Sequence, residues 1–186
     1  METKEEILEQ LNKYVEKYPE GKEEAEAVIQ FVNEHEGEDL VSRKNFRGHI
    51  TTSAFIIDEN ADALLLLKHK SLERWLQPGG HVDATDASLA DSALREACEE
   101  TGLDAGSLTL VSNNIFDVDS HLIPENIKKQ EPGHVHHDIR FLFKCSNSNS
   151  LNISLEESTD SKWIPFSDLS DNEDFYWVRE KIEGFM

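Results

Sequence analysis

The chain has 186 residues, enough for one domain with a real core and a small appendage. Its 38 acidic residues against 18 basic ones leave a formal net charge of -20, which argues against binding a nucleic-acid backbone or an anionic membrane. No apolar run reaches membrane-spanning length, METKEEILEQ lacks the basic start and apolar stretch of a signal peptide, and Cys98 and Cys145 form neither a disulfide framework nor a CxxC site.

These features make the cytoplasm the expected compartment and buried free thiols the expected state of both cysteines. They also set a condition on function: an anionic substrate needs a local cation, either an Arg/Lys cluster or a bound metal, to reverse the field.

Residues 3–36 read as a helical hairpin. Thr3 and Glu6 have capping-box spacing, and Ile7, Leu8, Leu11, Val15 and Tyr18 recur on one face. Pro19 to Gly21 breaks the helix, and Ala25, Val28, Ile29 and Val32 mark a second stripe that ends before Gly37. We therefore read residues 1–45 as an N-terminal extension of a domain spanning 46–186. Its spare apolar surface suits a homodimer or a lid as well as plain packing.

From His49 the period changes to that of strands. HITTSAFIID and ADALLLLKHK flank a turn at Glu59-Asn60, and RWLQPGGHV leads through Gly79-Gly80 into a short third strand. SLTLVSNNIFDVDS and HVHHDIRFLFKC read as two long strands joined by a polar loop between Pro124 and Pro132. SNSNS is a turn, with LNISL and SKWIPF after it. EDFYWVREKIEGF closes the chain as a helix carrying Phe175, Val178 and Ile182 on one side. Strands and helices in this order predict an α+β fold, layered as an α-β-α sandwich around a mixed β-sheet.

Residues 88–101 should be helical. Ser88 can cap the start, with Asp91 three residues on, and Gly102 stands where a left-handed stop is wanted. Ala90, Ala93, Leu94, Ala97, Cys98 and Thr101 form a stripe of small or apolar side chains. On the other side, Glu96, Glu99 and Glu100 are spaced i, i+3, i+4, and Arg95 lies four before Glu99. Three like charges on one face repel by a few tenths of a kcal/mol per pair, so a cation is expected nearby. A solvated acidic face is the alternative. Clustered hard oxygens beside a glycine turn suit Mg²⁺.

The segment resembles the Nudix box, G-x5-E-x7-R-E-U-x-E-E-x-G-U with U a bulky apolar residue. Arg95 to Leu103 match its second half position by position, with a small Ala97 at the first U. Gly80 matches the opening glycine. The first acid falls on Asp86, and one residue more than the family spacing separates it from Arg95. GHITTSAFII, WLQPGGHVD and KWIPFSDL resemble stretches that flank the box in Nudix hydrolases, and RWLQPGGHVDATDASL and HVHHDIRFLF resemble a bacterial subgroup of mostly undefined substrate with similar N-terminal helical extensions.

The resemblance implies hydrolysis of a diphosphate joined to another moiety. Glu96, Glu99 and Glu100 would be metal ligands, the Gly80 carbonyl a further ligand, and Arg95 their orienting salt-bridge partner. An assisting acid would come from the loop holding Glu156, Glu157 and Asp160, with Glu157 chosen here. The expected partner is a small nucleoside diphosphate-type substrate, with no nucleic acid and no membrane.

Three other groups carry more than one reading each. Lys68, His69, Lys70 and Arg74 form the densest basic patch, either a solvated strand end or a contact to a distal phosphate, and Trp75 is either core or a stacking surface. Arg140 belongs to ordinary strand alternation, yet would suit a phosphate. His134 and His136 share one strand face, with His137 opposite, and His121 and His81 could approach. They are strand histidines, substrate hydrogen-bonders or a transition-metal site; no carboxylate or cysteine spacing completes a zinc signature. Two rivals to a hydrolase are a non-catalytic ligand-sensing member and an isomerase-like relative. The second would need a cysteine in an open pocket, which Cys98 on the buried stripe does not supply.

Overall fold

In the computed structural model, which describes residues 1–127, 130–148, 151–169 and 174–185, the chain opens with two helices whose ends follow local chemistry. Helix α1 (Lys4–Lys17) begins at a capping box. The Thr3 hydroxyl accepts from the Glu6 N–H at 3.3 Å, and the Glu6 carboxylate accepts from the Thr3 N–H at 2.8 Å. A 3₁₀ turn at Pro19–Gly21 separates it from α2 (Lys22–Glu34).

The face that α1 buries is Ile7, Leu11, Tyr14 and Tyr18, while Leu8 and Val15 are half-buried. Tyr14 joins the stripe because its ring covers apolar surface while its hydroxyl donates to Asp117 at 3.1 Å. On α2 the buried set is Ala25, Val28, Phe31 and Val32, with Ile29 half-buried.

The remaining elements are β1 (His49–Ile57), β2 (Ala63–His69), β3 (Trp75–Leu76), β4 (Gly79–His81), α3 (Leu89–Thr101), β5 (Leu108–Leu110), β6 (Asp117–Ile123), β7 (His134–Cys145), β8 (Ser158–Pro165), α4 (Phe166–Leu169) and α5 (Val178–Phe185). This is the expected α+β class, with a sheet and a leading pair of helices. Strand β1 is buried at every position, and it hydrogen-bonds to β7. Among the described residues, no helix is long and apolar enough to cross a membrane.

Contacts divide the chain into two compact units. The first holds Met1–Ser53, Gly79–Ala93 and Asn113–Phe141. In it, β4 pairs antiparallel with the start of β1, placing His81 opposite Thr51. β6 pairs antiparallel with β7, from Asp117 opposite Arg140 to Ile123 opposite His134. Phe31 of α2 stacks on His137, with ring centroids 4.5 Å apart. The Glu2 carboxylate accepts from the Leu89 N–H at 2.8 Å, so the leading segment caps the start of α3, where a negative charge suits the helix dipole.

The second unit holds Ala54–Pro78, Leu94–Ser112 and Leu142–Met186. β2 pairs with the end of β1, with β3 and along its length with β8, and β5 pairs with the end of β7. Leu64 to Leu67 are all buried, as befits a continuous apolar run in a central strand. Phe175, Val178 and Ile182 are buried as expected, and Phe55 meets the Phe175 and Trp177 rings at 6.2 and 5.7 Å.

Three expectations change. Ser107–Ser120 is not one strand: β5 ends at Leu110 and β6 begins at Asp117, with the polar Ser112-Asn113-Asn114 between them. The closing helix starts only at Val178, after a turn over residues 174–177, and Glu173 lies outside the described residues, as do Asn149 and Ser150 of the expected turn. Leu151 to Leu155 contain no strand. Instead, the Asn152 N–H donates to the Thr101 carbonyl and the Ser154 N–H to the Glu100 carbonyl, each at 2.9 Å. These bonds satisfy helix-end acceptors that lack intrahelical partners.

Gly102 allows that approach. Its φ is +68°, and an added Cβ would overlap the Asn152 carbonyl oxygen. Gly102→Ala is expected to destabilise the protein by about 2 kcal/mol in urea unfolding. Gly184→Ala, in α5 with open space around it, is expected to be neutral or to stabilise by about 0.5 kcal/mol. Equal effects would mean that the α3 stop does not constrain the fold.

Candidate active site

Helix α3 is anchored at both ends and along one face. At its start the Ser88 hydroxyl accepts from the Asp91 N–H at 3.1 Å and donates to the Asp91 carboxylate at 2.8 Å. Leu89, Ala93, Ala97 and Thr101 are fully buried, and the Thr101 hydroxyl bonds back to the Ala97 carbonyl. Ala90, Leu94 and Cys98 are only half-buried, so Cys98 departs from the buried-thiol expectation that Cys145 meets. Burial, then Asp104 and Glu99, push the Cys98 thiol above its usual pKa, which disfavours the thiolate.

The face left outward carries the acids. Arg95 Nη1 bonds Glu96 at 2.8 Å and Glu99 at 3.4 Å. The Glu96 side chain is 13% exposed and Glu99 61%, so Arg95 fixes a shielded carboxylate and steadies an open one. Glu100 follows on the same face, half-buried, with its carbonyl held by Ser154. Hard oxygen donors grouped on a rigid helix are the donor set that Mg²⁺ or Mn²⁺ takes.

Gly80 sits in β4 opposite Thr52, beside Gly79, whose missing side chain lets Ser53 and the Thr52 carbonyl approach. Asp86 is buried, and its carboxylate accepts from the Asp83 N–H at 2.8 Å while its own N–H donates to the Asp83 carbonyl at 3.0 Å. The carboxylate thereby helps to close the loop before α3.

Lys68 and Trp75 stand opposite each other across β2 and β3, with the ammonium 5.8 Å from the ring centroid. Lys162 of β8, which the sequence reading missed, lies 4.8 Å from the same ring. Trp75 is half-buried and flanked by two cations. Lys68 also donates to the Glu73 carbonyl, and Arg74 pairs with Asp174 at 2.8 Å in solvent. Glu157 is exposed, and its carbonyl accepts from the Lys70 N–H at 2.7 Å.

Arg140 is engaged from three sides. Its Nε, Nη1 and Nη2 bond Asp138, Asp117 and Asp119 at 2.9, 2.8 and 3.0 Å. Burial opposes its charge, yet the three carboxylates outweigh that and raise its pKa. Ser53 and Thr51 donate to Asp138 at 2.8 and 3.3 Å, and Tyr14 donates to Asp117, so the acids are satisfied in turn. His121 and, after it, Arg140 hold Asp119 below the usual carboxylate range against the opposing effect of burial.

Above this cluster lies a group of imidazoles. His49, His81 and His136 offer nitrogens that all lie within 4.8 Å of one another, and His134 joins them, with Nε2 at 3.2 Å from His136 Nε2. Burial, then the neighbouring rings, push the His136 pKa down to about 2, and burial lowers that of His49. His137 points elsewhere, to Ser120 at 2.9 Å and to Phe31. His49 was missed from sequence because it opens a different strand; only its place two residues before Thr51 could have signalled the shared face.

Replacing Arg140 with Met would leave three carboxylates without their cation. It is expected to cost about 3 kcal/mol or more in urea unfolding, and Arg140→Lys should recover little, because an ammonium lacks the three-way fork. A loss under about 0.5 kcal/mol would contradict this reading.

A family profile for the NUDIX domain matches residues 47–183. The chain is 32% identical over 129 residues to a probable DHNTP pyrophosphohydrolase of Lactococcus lactis, covering 69% of this chain and 74% of that protein. It is similar in structure to an Ap4A hydrolase of C. elegans, with TM-score 0.55, 21% identity, and 73% and 96% of the two chains covered. It is also similar to a NUDIX-family hydrolase of Clostridium perfringens, with TM-score 0.53, 24% identity, and 74% and 95% covered. At these identities the two structures speak for the fold, while the profile match over most of the chain shows that the protein belongs to the Nudix family.

Proposed function

We propose that this protein is a metal-dependent pyrophosphohydrolase that cleaves a diphosphate linkage in a nucleoside diphosphate derivative: a nucleotide sugar, a dinucleotide or a nucleoside triphosphate. The observation that carries the reading is the trio Glu96, Glu99 and Glu100 on one face of α3, with Arg95 bridging two of them. The name of its L. lactis relative, a probable DHNTP pyrophosphohydrolase, agrees with it.

Glu96, Glu99 and Glu100 would hold Mg²⁺ or Mn²⁺. When bound, such ions supply positive charge to a diphosphate and acidify water. Arg95 orients the shielded Glu96. A glutamate of the trio, or Glu157 from the loop before β8, accepts the proton of the attacking water. Lys68 and Arg74 offer charge to the substrate's phosphates, and Trp75 offers a ring face for a base. Arg140, bound by three carboxylates, is assigned to holding the sheet. The same proposal takes residues 46–186 as the catalytic domain and 1–45 as its extension, in a cytoplasmic homodimer that the half-buried Leu8, Val15 and Ile29 would help to form.

A second reading, a ligand-sensing member without turnover, is favoured by one observation. Asp86, at the pattern's first acid, uses its carboxylate to close a loop. The isomerase-like reading lacks support, since it needs a cysteine in an open pocket and Cys98 lies half-buried on the apolar stripe of α3.

The test is a panel of nucleotide sugars, dinucleotides and nucleoside triphosphates with Mg²⁺ and Mn²⁺, with the products identified. Wild type should hydrolyse at least one class. Glu99→Gln and Glu100→Gln should each lose roughly 100-fold or more in kcat/KM while keeping their circular dichroism. Full turnover by both variants would refute the assignment, and ligand-induced melting shifts without hydrolysis would select the sensing reading.

A further inference from the structure

We propose that His49, His81 and His136 form a binding site for one transition-metal ion, with zinc the best-fitting ion. The site goes beyond the proposed hydrolase centre, because it uses imidazole nitrogens in place of carboxylates and selects a different class of ion.

The three residues come from three strands. His49 opens β1, His81 ends β4 beside it, and His136 lies in β7. Their ring centroids are 5.1 Å apart for His49–His81, 4.7 Å for His49–His136 and 5.1 Å for His81–His136. Their candidate donor atoms all lie within 4.8 Å of one another. In a tetrahedral zinc site with bonds near 2.0–2.1 Å, ligand nitrogens stand roughly 3.4 Å apart. Closing the remaining gap takes about an ångström of ring movement.

Hydrogen bonding decides which nitrogens are available. His49 Nδ1 contacts the Asn45 carbonyl at 3.4 Å, and a carbonyl only accepts, so the proton of the neutral ring is on Nδ1. Its Nε2 then carries the lone pair. That atom is buried and has no hydrogen-bond partner among the described residues, in a side chain with no solvent exposure. A buried acceptor left unmade is costly and rare, and a metal ion would satisfy it.

His134 supplies the outer support. The Pro132 carbonyl at 2.9 Å places its proton on Nδ1, so the 3.2 Å contact to His136 is a donation from His136 Nε2–H. That bond leaves the lone pair of neutral His136 on Nδ1 and orients the ring, which is the role outer partners play around metal-bound histidines. His121 stands opposite His136 on β6, with centroids 5.7 Å apart, and its Nδ1 is 2.7 Å from Asp119.

Imidazole donors suit zinc, copper and nickel, whereas magnesium takes oxygen ligands. Three histidines with a fourth position for water or an anion is an arrangement zinc adopts. Copper and nickel would compete by intrinsic affinity, while zinc fits three imidazoles with an open fourth position.

The experiment uses untagged, metal-free full-length protein in excess Mg²⁺, titrated with Co²⁺ and then Zn²⁺. The wild type should take up one equivalent of Co²⁺ with the intense visible absorption of a four-coordinate ion, and one equivalent of Zn²⁺ should displace it. His81→Ala and His136→Ala should each weaken zinc binding by more than roughly 100-fold, beyond the loss seen for outer-shell partners, while Glu99→Gln and Glu100→Gln leave it unchanged. The wild-type titration stands even where a variant folds poorly. A wild type that takes up no zinc, binding unchanged in both histidine variants, or binding lost in the glutamate variants would overturn the proposal.

Discussion

Carboxylates one turn apart on a helix repel by a few tenths of a kcal/mol per pair, and a cation among them relieves that repulsion. Helix α3 imposes this condition on the chain. Its inward face is made of small or hydroxyl-bearing residues, Ala93, Ala97 and Thr101, which fix which side faces the interior. Its start is held by Ser88 and Glu2, and its end by Gly102 and the backbone of Asn152 and Ser154. With rotation and length both set, Glu96, Glu99 and Glu100 cannot scatter. Arg95 is close enough to neutralise one charge and to reach two of the acids.

A second cluster in the same chain has the same ratio of acids to arginine and the opposite outcome. Around Arg140, three different nitrogens each take a carboxylate at 2.8 to 3.0 Å, and serine, threonine and tyrosine hydroxyls bond two of the acids further. That arrangement satisfies its charges internally, as a buried network must. On α3, Arg95 Nη1 bonds both Glu96 and Glu99, and Glu99 stands largely in solvent. Carboxylates that open to solvent on a fixed helix are suited to receiving an ion, whereas a buried, mutually bonded group is suited to holding strands together.

Local signals made much of this legible. Ser88 and Gly102 bracket α3 to within a residue, His134 to Cys145 is one strand as its alternation implies, and Thr3 with Glu6 starts α1. What stayed hidden depends on partners far along the chain. Tyr14 joins the buried face of α1 through a hydroxyl bond to Asp117, a pairing that helical periodicity does not encode. The carboxylates around Arg140 follow from the register of β6 on β7, and register is a property of two strands together. His49 enters the imidazole group because β1 lies beside both β4 and β7. Leu151 to Leu155 looked strand-like because extended backbone that caps a helix has the same local composition as extended backbone in a ladder.

The most direct measurement of the central claim is anomalous diffraction from a crystal soaked in manganese. The account predicts a peak within bonding distance of the carboxylates of Glu96, Glu99 and Glu100. A well-ordered α3 whose three carboxylates have no manganese beside them would contradict it.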